Sequence, residues 1–280
     1  MNFLKKLLHL DQPATTENAQ QKQTTAWQEA KRLKLERLRP LLSGPPVSES
    51  AICLDFLSAG LREKFSIVDT DNVSAHGYDP YAQAIIDSSP DGFVLDCGAG
   101  SRGDYLPNVV NFEIVDYPST DVRGVAEALP FRDAVFDGVL CLNVLEHVKD
   151  PFQAARELAR VMKPGARLYC VVPFLQPLHA YPHHYYNMTA EGLRNLFAGH
   201  LEIERQEVPA SGLPVWTLTW FLGRWVNGLP PEAREQFMQM RVGELIGDTM
   251  RYLDADFVKK LPPASNFELA STTAIFARKT

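Results

Sequence analysis

Two stretches of this chain carry residue types at spacings that suit chemistry. The first is Val94-Leu95-Asp96-Cys97-Gly98-Ala99-Gly100-Ser101-Arg102-Gly103, an apolar run that ends on an acid and then on closely spaced glycines. Glycines at a strand end let the backbone turn tightly and approach a ligand with no Cβ in the way. The spacing Gly98-x-Gly100-x-x-Gly103 also satisfies the dinucleotide fingerprint, so the loop alone leaves two cofactor classes open. The second stretch holds His179, His183 and His184, interleaved with Tyr181, Tyr185 and Tyr186. Imidazoles on a strand-end loop suit proton abstraction from a hydroxyl. The competing reading is a packing loop whose polar tips find local partners. Neither a helical spacing nor a cysteine partner supports zinc there.

The elements that must position these residues alternate. Strands are expected at 93–97, 109–114, near 121–125, 135–142, 167–173 and 201–208, with a last strand over Phe267–Ala277. Helices fit Tyr81–Ile86, 151–162 and 189–198. Pro151 opens the 151–162 helix, where its missing N–H costs nothing, and Lys163-Pro164-Gly165 ends it. Alternation of this kind predicts a mostly parallel sheet with helices on both faces. Only a few residues separate Gly100 from the strand at 109, too few for the usual crossover helix. Asp104–Asn108 must therefore form a loop or a single turn.

Outside this core, Met1–Leu10 suits a short amphipathic helix, Asp11–Thr25 a flexible linker, and Trp27–Leu42 a second helix closed by Ser43-Gly44-Pro45-Pro46. The expected organisation is an N-terminal extension over 1–46 and one domain over 47–280. That domain carries a helical, aromatic-rich insertion at about 213–260. Trp216, Trp220, Phe221 and Trp225 in that insertion read as one helix face, for a core or a dimer contact.

Composition narrows the function classes. The 280 residues carry a net charge of −6, and residues 1–42 hold eight Lys/Arg against four Asp/Glu. An acidic body is not expected to bind nucleic acid. The basic N-terminal part suits a solvated helix, or a weak contact with an anionic membrane surface. The apolar runs fall short of the ~20 residues a membrane span needs. The four cysteines show no metal-ligand spacing, and three lie in the expected strands, as in a protein of a reducing, cytoplasmic compartment.

Five motifs in order give the chain a resemblance to the class I S-adenosylmethionine-dependent methyltransferases. They are Val94–Gly100, Ala126–Phe131, Phe136-Asp137, Val144-Leu145-Glu146-His147-Val148 with Asp150-Pro151, and Arg160–Gly165. The resemblance implies a Rossmann-like α/β fold with a seven-stranded, mostly parallel sheet, and S-adenosylmethionine as cofactor. It implies that Asp96, Gly98, Ala99 and Gly100 take the amino-acid end, and that Glu113, followed by Ile114, accepts the ribose hydroxyls. Asp116 is the competing acid if the strand runs longer. Ala126 and Leu129 then border the adenine, with Glu127 as a second candidate because Val125 stands where relatives carry an acid. Asn143, Val144 and His147 fall nearest the methionine part. Some relatives bind a divalent metal in that segment, but Asn143 replaces the first acid, so no metal is expected.

Pro173–Thr189 resembles a segment of a bacterial subgroup linked to sugar-modifying pathways, although His184 and Asn187 replace its acid and arginine. The expected function is methyl transfer to a small polar, sugar-like acceptor, with His179, His183 or His184 as the base if the acceptor is a hydroxyl. The alternatives are an NAD-dependent oxidoreductase and a non-catalytic S-adenosylmethionine-binding domain.

Overall fold

In the computed structural model, residues 17–68, 70, 75–179, 182–247 and 249–271 are described. Seven strands make one sheet: β1 (Ser48–Glu49), β2 (Leu54–Asp55), β3 (Val94–Cys97), β4 (Val109–Glu113), β5 (Val122–Arg123), β6 (Phe136–Leu142) and β7 (Met162–Val171). Their order is β1-β2-β5-β4-β3-β6-β7. The central pairs β3·β4, β3·β6, β4·β5 and β2·β5 are parallel, and the edge pair β1·β2 is antiparallel. Val94 and Leu95 on β3 and Val110 on β4 are fully buried, as strands covered on both faces require.

The chain divides into two units. One comprises the residues up to Leu142 together with Phe152–Cys170; the other comprises Asn143–Pro151 and the residues from Val171 onward.

The first unit holds α1 (Glu17–Leu38), α2 (Ala59–Phe65), α3 (Pro80–Asp87) and most of α4 (Pro151–Val161). Asp79 caps α3 through bonds from Tyr81 N–H and Ala82 N–H, and Ala82 and Ile86 pack on Val94, Val109 and Leu140 of the sheet. No helix lies between β3 and β4, as the short spacing requires.

Several expectations change here. The helix α1 begins at Glu17, well inside the stretch read as a linker, and its C-terminal half is buried in the first unit through Lys31, Lys34, Leu35 and Leu38. Two of its lysines are thus not solvated: Lys31 Nζ donates to Pro118 O at 2.8 Å, and Lys34 Nζ donates to Asp121 Oδ2 at 2.8 Å. The sheet takes its outer strands from Ser48–Glu49 and Leu54–Asp55, not from 201–208, which forms no strand and is largely exposed. Phe267-Glu268 closes a helix, Pro263–Glu268. The strand β7 starts at Met162 and absorbs Lys163-Pro164-Gly165, with Gly165 at φ 82°. The expected helix at Met1–Leu10, the start of the linker and residues 272–277 of the last strand lie outside the described residues.

The second unit is mainly helical: α5 (Ala190–Phe197), α6 (Pro214–Gly228), α7 (Pro231–Gln239) and shorter turns. Pro231 opens α7 and separates it from α6. Leu229, Ala233, Phe237, Leu261 and Leu269 form its core, with Phe221 and Trp225 packed against them. Trp216 is 57% exposed, so the aromatic series does not form one buried face. Among the described residues, no helix is long and apolar enough to cross a membrane.

Candidate functional site

In the first unit, the β3 loop is fastened to the end of β4. Gly98 and Gly100 adopt φ of 74° and 64°, the left-handed region that side-chain-bearing residues disfavour. That turn aims the amides of Gly98 and Ala99 at Phe112 O, at 2.8 and 3.1 Å. Gly100 N–H donates to Glu113 Oε2 at 2.8 Å, and Ile114 N–H donates to Glu113 Oε1 at 2.7 Å. Burial pushes the Glu113 carboxyl up, while the backbone N–H groups of Gly100, Ile114 and Val115 pull against that shift. A carboxylate offers about four acceptor positions, so Glu113 retains capacity for a ligand hydroxyl.

Asp96 is fully buried beneath this loop. Its Oδ2 accepts from Arg102 Nε at 2.9 Å, Arg102 Nη2 at 2.7 Å and the Tyr78 hydroxyl at 2.7 Å. Its Oδ1 has no hydrogen-bond partner among the described residues. Burial pushes the carboxyl up, and the Arg102 charge and the donated hydrogen bonds oppose it. Gly103 makes no close approach to anything: a Cβ there would meet no atom within 4 Å.

The next loop is held from below. Ala126–Ala128 is one 3-10 turn, with Ala126 and Glu127 buried. Leu129 N–H donates to Glu157 Oε2 at 2.9 Å, and Arg160 Nη2 donates to Leu129 O at 3.1 Å. Ile114 and Ala128 pack with Val125. The first unit therefore gathers Asp96, Gly98, Ala99, Gly100, Glu113 and Ile114 around one strand-end loop, and fixes Ala126, Glu127 and Leu129 on the adjacent one.

The second unit gathers the remaining candidates. Asn143 has φ 54°, a left-handed conformation that Asn tolerates better than most residues, and its N–H donates to Val171 O at 2.9 Å. His147 N–H reaches back to Val144 O at 2.9 Å, so Asn143–His147 makes a tight turn. Glu146 O accepts from Tyr185 N–H at 2.7 Å and from Tyr186 N–H at 3.2 Å, which holds the histidine loop to this turn.

The hydrogen bonds assign the tautomers. A carbonyl only accepts, so His147 Nδ1 must donate to His183 O, and His179 Nδ1 must donate to Pro177 O at 3.1 Å. In the neutral rings, Nε2 of both His147 and His179 is then the acceptor nitrogen. His184 is committed on both sides: its Nδ1 accepts from His179 N–H at 3.0 Å, and its Nε2 donates to Asn187 Oδ1 at 2.9 Å. The His179 ring lies 4.2 Å from that of His184, 5.2 Å from that of His147 and 5.2 Å from Trp220, centroid to centroid. His183 serves through its carbonyl, and its ring lies against Tyr185. Burial lowers the His147 pKa to about 4 and lowers that of His179, which keeps both rings neutral. Burial raises Glu146 to about 8.

Arg102, Tyr78, Glu157 and Lys34 were not singled out from the sequence. Arg102 lies inside the glycine motif, but its partner Asp96 is engaged through a loop reversal that no local spacing signals.

Comparison with known proteins places the central block. Residues 97–170 match the methyltransferase domain family. A ubiquinone biosynthesis O-methyltransferase of Hahella chejuensis is 46% identical over 55 residues, 20% of this chain and 22% of that protein. A ubiquinone/menaquinone biosynthesis C-methyltransferase of the same organism is 48% identical over 56 residues, 20% and 22% of the two chains. The chain thus spans about a fifth of the length of these curated relatives. Among solved structures, a Burkholderia thailandensis 1,6-didemethyltoxoflavin-N1-methyltransferase is 21% identical and aligns over 48% of this chain and 73% of that one, with a TM-score of 0.34.

Proposed function

We propose that this chain, whose central block is a methyltransferase domain of the class I S-adenosylmethionine-dependent kind, methylates a hydroxyl of a small polar, sugar-like acceptor in the cytoplasm. The observation that carries the cofactor assignment is the glycine loop tied to Glu113 with no helix behind it. A dinucleotide pyrophosphate is ordinarily met by a helix N-terminus at this position. Here the chain passes from Gly100 into β4 without one, and a buried acid sits beneath the loop. The same features suit S-adenosylmethionine. Glu113 has acceptor capacity for a ribose hydroxyl, and Asp96 Oδ1 is a buried acceptor without a donor that suits an ammonium group.

When bound, the cofactor supplies an electrophilic methyl group on its sulfonium. Gly98, Ala99, Gly100, Asp96 and Glu113 would hold its amino-acid and ribose parts, and Ala126, Glu127 and Leu129 would flank the adenine. Asn143, Val144 and His147 remain the candidates for the methionine part. The enzyme's task is alignment of acceptor and donor away from water. An acceptor hydroxyl must also lose its proton, and the neutral His179 ring, supported by His184, is the group assigned to meet that hydroxyl. Tyr185 and Tyr186, exposed on the same loop, offer ring faces and hydroxyls to a sugar-like molecule.

The test is transfer of a labelled methyl group from S-adenosylmethionine into a fractionated bacterial extract. The expected result is label in the small, water-soluble fraction, recovered as a methyl ether. Label confined to lipid or protein would contradict the acceptor assignment.

A further inference from the structure

Three of the four cysteines stand abreast in the sheet of the first unit. Asp96 pairs with Leu140 in the parallel register of β3 and β6, so the next residues, Cys97 and Cys141, are lateral neighbours. Val135 N–H donates to Val161 O at 2.8 Å, and Asn143 N–H donates to Val171 O at 2.9 Å. Both bonds advance along β6 and β7 in the same sense, and in a parallel pair the second sets Cys141 beside Cys170. Lateral neighbours point to one face of the sheet, and the Cys141 thiol is hydrogen-bonded with the thiols of Cys170 and Cys97. Those two contacts, with burial, push the Cys141 thiol pKa up. Cys97 and Cys141 are buried. Cys170 is half-buried on β7, the strand that ends the sheet order among the described residues. The fourth cysteine, Cys53, sits beside β2, with β5 and β4 between it and β3.

We propose that Cys141 and Cys170 form an oxidative modification site, closing a reversible disulfide when the chain meets a peroxide. Laterally paired strands lie about 4.8 Å apart, inside the Cα separation of about 4.4–6.8 Å that a disulfide spans. Side-chain rotation and a small approach of the strands therefore suffice. Exposure sets the order of events. Cys170 is the thiol a peroxide reaches: its sulfur loses a proton to solvent and attacks one peroxide oxygen. The O–O bond breaks, and the departing hydroxide is protonated to water. The resulting Cys170 sulfenic acid then meets the Cys141 sulfur. The S–S bond forms, hydroxide leaves the Cys170 sulfur with the Cys141 proton, and a second water is released. Two thiols are oxidised and one hydrogen peroxide becomes two waters. In reducing compartments such bonds are transient and serve redox sensing.

The bond stands independently of the methyl-transfer reading; only its effect rests on it. Cys97 directly precedes Gly98, where the cofactor loop begins. A Cys141 sulfur drawn to Cys170 leaves Cys97 without its thiol partner at the base of that loop, and S-adenosylmethionine affinity falls.

The full reduced chain is treated with hydrogen peroxide under native conditions, alkylated in denaturant and mapped by mass spectrometry. The four cysteines fall on four different tryptic peptides, so each pairing is distinguishable. The expected result is the loss of two hydrogens per chain, a link between the Cys141 and Cys170 peptides, and reversal by dithiothreitol. C53S and C97S retain the link, and C170S loses it. The wild-type map is read without any variant, so a substitution that misfolds does not decide the outcome. The proposal is overturned if the native chain keeps four free thiols, or if the link joins any other pair. Calorimetry with S-adenosylmethionine should then show severalfold weaker binding to the oxidised chain, restored by dithiothreitol. Equal affinities with the bond in place overturn its effect on the loop. A reduced chain that binds no S-adenosylmethionine overturns the methyl-transfer reading instead.

Discussion

The amide of Gly100 donates to the Glu113 carboxylate at 2.8 Å. One bond thereby joins the glycine loop after β3 to the acid that ends β4, and each fixes the position of the other. Replacing Glu113 with Ala removes both the loop's anchor and the acceptor assigned to the ribose. We expect S-adenosylmethionine affinity to fall at least tenfold in calorimetry, because a hydrogen bond to a charged group contributes about 1.5–3 kcal/mol. Unchanged affinity in a folded variant would remove Glu113 from the site.

The left-handed backbone of the loop gives a second expectation. Gly98→Ala and Gly100→Ala each place a Cβ on a residue at positive φ, at a cost of about 1–2 kcal/mol. Denaturant unfolding should show that loss for each variant. An alanine at Gly103, an exposed position with open space around it, should cost far less.

Lys34 and Asp121 form an ion pair at 2.8 Å with both side chains wholly buried. Asp121 also accepts from Asn111 N–H at 2.9 Å, so the N-terminal helix supports the strand that carries Glu113. Lys34→Ala strands a buried carboxylate, and we expect a loss of about 3–5 kcal/mol in unfolding free energy. Burial lowers the Lys34 pKa from 10.5 to about 8. Between those values the unfolded chain binds more protons than the folded one, so this group's contribution to stability rises with pH across that window. The wild-type advantage over Lys34→Met should therefore grow between pH 8 and 10. A constant or shrinking advantage would contradict the assignment.

The histidines are not equivalent. His179→Ala should lower methyl transfer by about 10²–10⁴-fold, the usual contribution of proton removal, with cofactor affinity preserved. His183→Ala should leave transfer within a few fold, because the structure uses its carbonyl and an alanine keeps it. Equal losses from both would sink that division of roles.

The strand-end loop and its acid were legible because each rests on local pattern. An apolar run ending in Asp96 and glycines, then another ending in Glu113, identify strand ends and the residues there. The N-terminal helix was not. Lys31 and Lys34 look like a solvated face, and only the carbonyls and Asp121 that meet them in the fold make burial tolerable. The strands at Ser48 and Leu54 are two residues long, below any detectable alternation. At 201–208 the alternation was there, but the segment forms no strand and stays largely exposed. The histidines were visible individually. Their convergence on Glu146 was not, because it depends on Tyr185 and Tyr186 bonding back to the Glu146 carbonyl across a long loop.

The central claim is that this loop holds S-adenosylmethionine and not a dinucleotide. Calorimetric titration of the full chain with S-adenosylmethionine and, separately, with NADH tests it most directly. We predict saturable one-to-one binding of S-adenosylmethionine that Glu113→Ala weakens, and no heat of binding from NADH. Binding of NADH with none of S-adenosylmethionine would contradict it.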